Sequence, residues 1–172
     1  KLEKEHYLRK IDKENLNSQY FEAIFDRLDK NKNYFIANEV QKYLIKSKKN
    51  EVNNFDIELA YDLINLYFER LIEYSEFQIN LIQTVDFDFT KDEYLDIFYE
   101  DNQWLTNVTD LKDLWRLETK NDLLVAKISD SSSSDPKVDL VKRYQNRIRR
   151  INQQKEEDIF SLAINILTNQ FD

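Results

Sequence analysis

The stretch most suggestive of ligand chemistry begins at Asp29. Asp29, Asn31 and Asn33 fall at positions 1, 3 and 5 of an EF-hand calcium loop, where side-chain oxygens bind the ion. Such a loop also requires Gly at position 6 and a bidentate Glu at position 12, but the chain has Tyr34 and Val40 there. The pattern is therefore too incomplete to predict a calcium site. A calcium sensor is kept as an alternative, which calorimetry with calcium would test.

A second group that suggests chemistry is a cluster of five acids in the middle of the chain. Closely placed carboxylates are the usual groups of general acid–base catalysis. No nucleophile and no recognisable metal-ligand motif accompanies this cluster. We therefore interpret the five acids as exposed loop charges: Asp86, Asp88, Asp92, Glu93 and Asp96.

The chain offers few nucleophiles and bases. The serines of the stretch from Ser129 to Pro136 have no His or Lys base placed by a recognisable motif, so we interpret the stretch as a polar linker. His6 is the only histidine, and alone it forms neither a catalytic triad nor a multi-histidine metal site. Cysteine is absent. The sequence thus predicts no catalytic, cofactor-binding or metal-binding residue in this chain, and no cofactor.

A basic run near the end of the chain is the remaining candidate for ligand binding. A phosphate-binding strip needs a basic surface, whereas the whole chain carries a formal net charge of −8, which argues against a nucleic-acid partner. We expect the run to be a solvated face that pairs with acids elsewhere; it consists of Lys142, Arg143, Arg147, Arg149 and Arg150.

The elements that position these residues are predicted to be helices. The chain of 172 residues has no Gly and one Pro, which disfavours tight hairpins because their turns depend on Gly. A coding bias that depletes Gly and Pro is an equally good cause of this composition. No apolar run approaches the roughly 20 residues of a membrane span. We predict a single all-α domain over residues 1–172.

Apolar residues recur at helical spacing in six segments. We expect six to eight helices around a long central helix at about 55–83, with a short extended segment near 85–99, where apolar and polar residues alternate. The other predicted helices are 17–29, 37–46, 110–128, and two in series between 138 and 172.

The same periodicity predicts which faces turn inward. We expect a helix cap at Asn17 or Ser18 and another at Thr109. Pro136 suits the first turn of the final helix pair. The inward residues of the 110–128 helix are predicted to be Leu111, Leu114, Trp115, Leu124, Val125 and Ile128. Those of the last two helices are Val138, Val141, Tyr144, Ile148 and Ile151, then Ile159, Phe160, Ala163, Ile164, Leu167 and Phe171.

An ordered series of short motifs resembles the N-terminal helical domain of tail-specific proteases, the carboxy-terminal processing serine peptidases of the bacterial periplasm. The resemblance extends from a His-Tyr pair near the start to a final Asp172. In this resemblance the Asn and Asp residues after Leu28 are turn formers and caps. The landmark residues are His6, Tyr7, Leu28, Asp29, Tyr34, Phe35, Phe87, Phe89, Trp104, Trp115, Lys120, Asn121, Asp122, Arg143, Tyr144, Asn146, Asp158, Phe160 and Asn165.

The resemblance implies that the chain is a fragment that ends just before a PDZ domain and a protease domain. The family's Ser/Lys dyad would lie beyond Asp172, so this chain would be catalytically inert within a periplasmic serine endopeptidase. Its expected partners are its own PDZ and protease domains, with protein substrates or an adaptor protein also possible. The competing hypothesis is a free-standing helical interaction module unrelated to proteolysis. Reading the coding sequence past Asp172 would distinguish the two.

Overall fold

The computed structural model describes residues 16–49, 55–96, 103–129 and 135–170. Within these ranges the chain forms six α-helices and no β-strand, which confirms the predicted all-α fold. None of these helices is long and apolar enough to cross a membrane. The helices are α1 (Leu16–Leu28), α2 (Ala37–Lys49), α3 (Ile57–Thr84), α4 (Val108–Ile128), α5 (Pro136–Asn152) and α6 (Glu156–Thr168).

The predicted central helix is α3, which has 28 residues and packs against each of the other five helices. At 1.5 Å per residue it spans about 42 Å. Asp56 caps its start, because the side chain accepts a hydrogen bond from the Leu59 N–H at 2.9 Å. Apolar residues occur on several of its faces, and this allows helices on different sides to bury them.

The main hydrophobic core lies between α1, α6 and the N-terminal half of α3. The apolar face of α1 is buried, with Tyr20, Phe21, Ile24 and Phe25 at most 1% exposed. The Tyr20 hydroxyl donates to the main-chain carbonyl of Ala163 at 2.8 Å, so the phenol joins α1 to α6 without leaving a buried O–H unpaired.

Two smaller clusters surround the C-terminal half of α3. One contains Tyr74, Leu111 and Trp115, and joins α3 to α4. The other contains Ile82, Leu123, Leu140 and Tyr144, and joins α3 to α4 and α5. The central helix is therefore buried along its length by different neighbours.

The helix caps differ from the predicted ones. The predicted cap at Asn17 or Ser18 is wrong, because α1 already includes Leu16; the Asn17 amide instead donates to the Ser47 carbonyl at 2.9 Å, joining α1 to α2. The predicted cap at Thr109 is also wrong. Asn107 caps α4 by accepting from the Asp110 N–H at 2.9 Å. The position of Pro136 in the first turn of α5 is confirmed.

In the second half of α4, the residues that are buried differ from the predicted ones. Leu111 and Trp115 are buried as predicted, and steps of four residues continue this face to Thr119 and Leu123, which are also buried. Leu124, Val125 and Ile128, predicted to be inward, are 38%, 52% and 75% exposed. Since each residue rotates the helix by about 100°, a shift of one position moves a side chain to another face.

A similar correction applies to the last two helices. In α6, Ile159, Ala163 and Leu167 are buried as predicted, whereas Phe160 is 51% exposed. In α5, Leu140 is buried although it was not predicted to be, and Val138 is 47% exposed. Phe171 lies outside the described residues. In each case the helix has its apolar stripe, but the contacts with neighbouring helices select one side of it.

The predicted extended segment begins directly after α3, since Val85 has extended backbone angles (φ −113°, ψ 129°). Residues 85–96 contain neither helix nor strand. Phe87 and Phe89 fold back onto the Ile82 cluster. Asp88 accepts hydrogen bonds from the N–H and the hydroxyl of Thr90 at 2.9 and 2.6 Å, which forms a local turn. Residues 97–99 lie outside the described part of the chain.

Candidate functional site

A connected set of buried and half-buried polar side chains is built around the turn between α1 and α2. The Asp29 carboxylate is only 2% exposed. It accepts hydrogen bonds from the main-chain N–H groups of Asn33 at 2.6 Å, Tyr34 at 3.3 Å and Phe35 at 3.1 Å. The indole N–H of Trp104 donates to the same carboxylate at 3.1 Å. Asp29 therefore holds the turn closed and fixes Trp104 against it.

This arrangement gives Asp29 a structural explanation. In an EF-hand the first Asp directs its oxygens to the ion, whereas both oxygens of Asp29 here accept N–H groups of the protein. Burial raises the pKa of Asp29, and the backbone hydrogen bonds oppose that rise. The predicted role of this residue as a turn former and cap agrees with the geometry.

A second carboxylate, the half-buried Glu118 of α4, lies on the other side of the turn. It accepts from the Tyr74 hydroxyl at 2.7 Å and from the Asn33 side-chain amide at 2.5 Å. Burial raises the pKa of Glu118, while the Tyr74 hydrogen bond opposes the rise. The pKa of Tyr74 is also raised, chiefly by burial. Glu118 thus joins the turn to α3 and α4.

Trp115 completes this junction from α4. Its side chain is fully buried, and its indole N–H donates to the Asn33 carbonyl at 2.7 Å. Its ring packs against Tyr74 and Phe77 at centroid distances of 5.2 and 5.8 Å. Trp104 and Trp115 therefore both pack against aromatic rings of the domain, and both use the indole N–H to hold the α1–α2 turn.

The basic run on α5 divides between two environments. Arg147 is half-buried between the rings of Tyr74 and Tyr144, at 5.5 and 5.4 Å, and donates to the Gln78 side chain at 3.1 Å. The expectation of a solvated, acid-paired face is therefore wrong for this arginine. It holds for Arg143, which is exposed and pairs with Asp122 at 2.6 Å. Buried neutral acceptors and aromatic faces favour the planar guanidinium.

The five acids of the segment 85–96 are exposed, as predicted, and Asp86, Asp88 and Glu93 have partners within the domain. Glu93 forms ion pairs with Arg116 at 2.7 Å and with Lys120. These two cations lower the pKa of Glu93 to about 2. Asp86 pairs with Lys137 at 3.2 Å. Across the described ranges, no group of three or more His, Cys, Asp or Glu side chains is placed to hold a metal ion.

The landmark residues that the structure describes include buried, half-buried and exposed side chains. His6 and Tyr7 lie outside the described residues. The buried landmarks are Asp29, Phe35, Trp115 and Tyr144. The half-buried ones are Leu28, Tyr34, Phe87, Phe89, Trp104, Lys120 and Asp122. The exposed ones are Asn121, Arg143, Asn146, Asp158, Phe160 and Asn165.

We call this set of side chains around the α1–α2 turn the polar junction; it consists of Asp29, Asn33, Tyr74, Trp104, Trp115 and Glu118. Among the landmark residues, Asp29, Tyr34, Trp104 and Trp115 lie at this junction. Glu118 was not predicted from the sequence to belong to this junction. Its position three residues after Trp115, on the inward side of α4, was the available signal. The exposed landmark Asp158 has a local role, since its side chain accepts from the Lys155 N–H at 3.0 Å at the start of α6.

The hydrogen bonds of the junction are made within the domain. Its carboxylates accept from the turn and from Tyr74, and its indoles donate to the turn. Catalysis by acids or nucleophiles requires a group within reach of a substrate. The junction instead has the properties of an internal brace between the α1–α2 turn, α3 and α4.

Comparison with known proteins identifies the family. A family model described as the tail specific protease N-terminal domain matches residues 1–172. A tail-specific protease of Haemophilus influenzae is 30% identical over 180 residues; the match covers 100% of this chain and 25% of that protein. The chain therefore spans about a quarter of the length of this curated relative. On these matches, the chain belongs to the family of tail-specific protease N-terminal domains.

Proposed function

We propose that this chain is a non-catalytic scaffold and partner-handling domain of a periplasmic tail-specific serine protease. In this proposal the whole protein cleaves proteins recognised by their apolar C-terminal tails. A Ser/Lys dyad outside residues 1–172 carries out the cleavage, and a PDZ domain recognises the tail. The helical domain positions these parts and offers a surface to a substrate or an adaptor.

The observation that carries the proposal is the use of the polar junction. Asp29 is the buried carboxylate of this junction and Glu118 the half-buried one, and both accept hydrogen bonds from groups of the domain itself. Such bonding favours a rigid structural element over a reaction centre. Family membership supports the link to proteolysis and argues against the alternative of a module unrelated to it.

The scaffold role is tested on the full-length protein. A reporter with an apolar C-terminal tail is incubated with the intact protein and with a variant that lacks residues 1–172. We expect cleavage to be lost or strongly reduced in the deletion variant, although circular dichroism shows that its remaining domains are folded. Unchanged cleavage by the deletion variant would contradict the scaffold role.

The non-catalytic part of the proposal has its own test. The purified 172-residue chain is incubated with the same reporter, with and without a covalent serine-protease inhibitor. We expect no cleavage above the buffer control in either sample. Inhibitor-sensitive cleavage by this chain would show that a catalytic serine lies within residues 1–172 and would contradict the proposal.

A further inference from the structure

A groove along one face of α5 contains three arginines of the basic run near the end of the chain. We call it the α5 arginine groove; its volume is about 280 Å³. The described residues that line it follow one another at helical spacing: Arg143, Asn146, Arg147, Arg150, Ile151 and Gln154. From Arg143 to Ile151 this face of the helix extends over about 12 Å, at 1.5 Å per residue.

Arg147 is the half-buried cation in the middle of this groove, and the groups that hold it are neutral. Its guanidinium lies between the rings of Tyr74 and Tyr144. Its Nη1 donates to the side-chain oxygen of Gln78 at 3.1 Å and to the Ser75 hydroxyl at 3.4 Å, and both of these residues are fully buried. Arg147 forms no ion pair with a residue that the structure describes. The guanidinium is thus fixed by its inner edge before any ligand arrives, which lowers the entropic cost of binding.

The other edge of the Arg147 guanidinium remains available to a ligand. A guanidinium carries five N–H donors, and both hydrogen bonds of Arg147 to described residues use Nη1. The Nε–H and the two N–H groups of Nη2 therefore have no acceptor among the described residues. A partly buried charge without an opposite charge beside it is unfavourable, and a carboxylate at these donors would offset that cost.

The two arginines that flank Arg147 differ in their pairing. Arg143 is exposed, and its Nη2 donates to Asp122 at 2.6 Å, so its charge is already partly neutralised. Arg150 is also exposed, and it forms no ion pair within the described part of the chain. The capacity of the groove to bind an anion therefore depends chiefly on Arg147 and Arg150, and it requires no change in the pair of Arg143 with Asp122.

The arginines and the charge of the whole domain together select the class of ligand. A planar guanidinium binds carboxylates and phosphates through paired N–H donors. Nucleic acids and anionic membranes present many phosphates over a wide surface, which would also face the rest of a chain whose net charge is −8. A short segment with two carboxylates meets the local cations without this repulsion. Acidic side chains of a protein are therefore favoured over phosphates.

From these observations we infer that the α5 arginine groove binds a segment of a partner protein that carries two closely spaced Asp or Glu side chains. One carboxylate would accept from the Nε–H and Nη2 groups of Arg147, and the other would pair with Arg150. A face of about 12 Å matches roughly four residues of extended chain at about 3.3 Å each, in which side chains two residues apart lie on the same side. The inference rests on the proposed function, since it gives the partner-handling role a location.

The test is an NMR titration of the 172-residue chain labelled with nitrogen-15, because the Nε–H groups of arginines give signals that report directly on contacts of the guanidinium. The probe is the peptide acetyl-Ala-Glu-Ala-Glu-Ala-amide, which carries two carboxylates and no charged terminus. Its uncharged counterpart is acetyl-Ala-Gln-Ala-Gln-Ala-amide. A third titration with inorganic phosphate distinguishes a phosphate ligand from carboxylates.

We expect the acidic peptide to shift the signals of Arg147 and Arg150 with a Kd of about 1 mM or lower, and the other two ligands to bind at least about tenfold more weakly. Arg150→Gln should weaken binding of the acidic peptide about threefold or more, because it removes one of the two charge pairs. Arg149→Gln is the matched control. It removes the same charge from the same last turn of α5, but Arg149 is not among the residues that line the groove, so binding should be unchanged.

Three results would overturn the inference: no shift of the Arg147 and Arg150 signals with the acidic peptide, equal binding of the glutamine peptide, or equal loss of binding in the Arg149 and Arg150 variants. Binding of phosphate as tight as that of the acidic peptide would also reject the inference as stated. Arg149 and Arg150 are both exposed, so both variants should fold, and circular dichroism checks this. Because cleavage is not measured, failure here is distinct from failure of the scaffold role.

Discussion

Asp29→Ala should be among the most damaging single substitutions in this domain. The alanine removes the acceptor of three main-chain N–H groups and of the Trp104 indole N–H. Two of these donors belong to Asn33 and Phe35, which are 6% and 0% exposed. A buried donor without a partner costs about 1–3 kcal/mol, so the two together cost about 2–6 kcal/mol. We expect a loss of about 4 kcal/mol from a total stability on the order of 5–15 kcal/mol.

The assay is urea unfolding followed by far-UV circular dichroism. With a slope of about 2 kcal/mol per molar urea, a loss of about 4 kcal/mol lowers the midpoint by about 2 M. Asp26→Ala is the matched control, since Asp26 is an exposed carboxylate in the last turn of α1, three residues before Asp29. Its stability should change by less than about 0.5 kcal/mol. Asp29→Asn keeps one acceptor oxygen and should fall between the two.

The same variants should also differ in the fluorescence of Trp104. Because Asp29 holds the Trp104 indole, Asp29→Ala should also change the emission of that tryptophan in the folded state, and Asp26→Ala should not. A loss of stability below about 1 kcal/mol for Asp29→Ala would refute the view that this carboxylate closes the turn. An Asp29→Asn variant as damaged as the alanine variant would show that the charge, and not the number of acceptors, is decisive.

Three further predictions concern the elements around this junction. Trp115→Phe should lose about 3 kcal/mol in urea unfolding, because it leaves a buried carbonyl of the turn without its donor and creates a cavity. Glu93→Gln should lower the stability at pH 7, but the difference from the unsubstituted chain should disappear as pH falls from about 4.5 to about 2. The reason is that the ion pairs lower the folded-state pKa of Glu93, so the stability that the ionised carboxylate contributes is lost when it is protonated. Ile159→Ala should cost about 3 kcal/mol, while Phe160→Ala should cost less than about 1 kcal/mol, since their side chains are 7% and 51% exposed; similar losses in both would reject the observed orientation of α6.

The helices themselves were largely predictable. A helix needs only local hydrogen bonds and an apolar stripe of helical period, and both are properties of short segments. The central helix predicted at about 55–83 is observed at Ile57–Thr84. Pro136 marked the first turn of α5 because a proline there sacrifices no hydrogen bond. The caps were less predictable, since several neighbouring polar residues can cap a helix and one or two positions decide which does.

Which face of a helix turns inward was only partly predictable. Leu124 and Phe160 have the residue type and the approximate spacing of core positions, yet both are exposed. Leu123 and Ile159, one position earlier, are buried instead. When the apolar stripe of a helix is wider than the surface that contacts its neighbours, the neighbouring helices determine which residues of the stripe are buried. The sequence of one segment contains no information about where those neighbours lie.

The polar junction depended on the tertiary structure alone. Asp29 bonds to a tryptophan 75 positions away, and Trp115 bonds to a carbonyl 82 positions away. The sequence by itself determined the all-α class, the long central helix and, through its ordered motifs, the resemblance to the protease family. Tertiary structure decided which carboxylates and which apolar side chains are buried. The physical reason is that helix formation is local, whereas burial and hydrogen-bond pairing depend on segments that meet only when the chain packs.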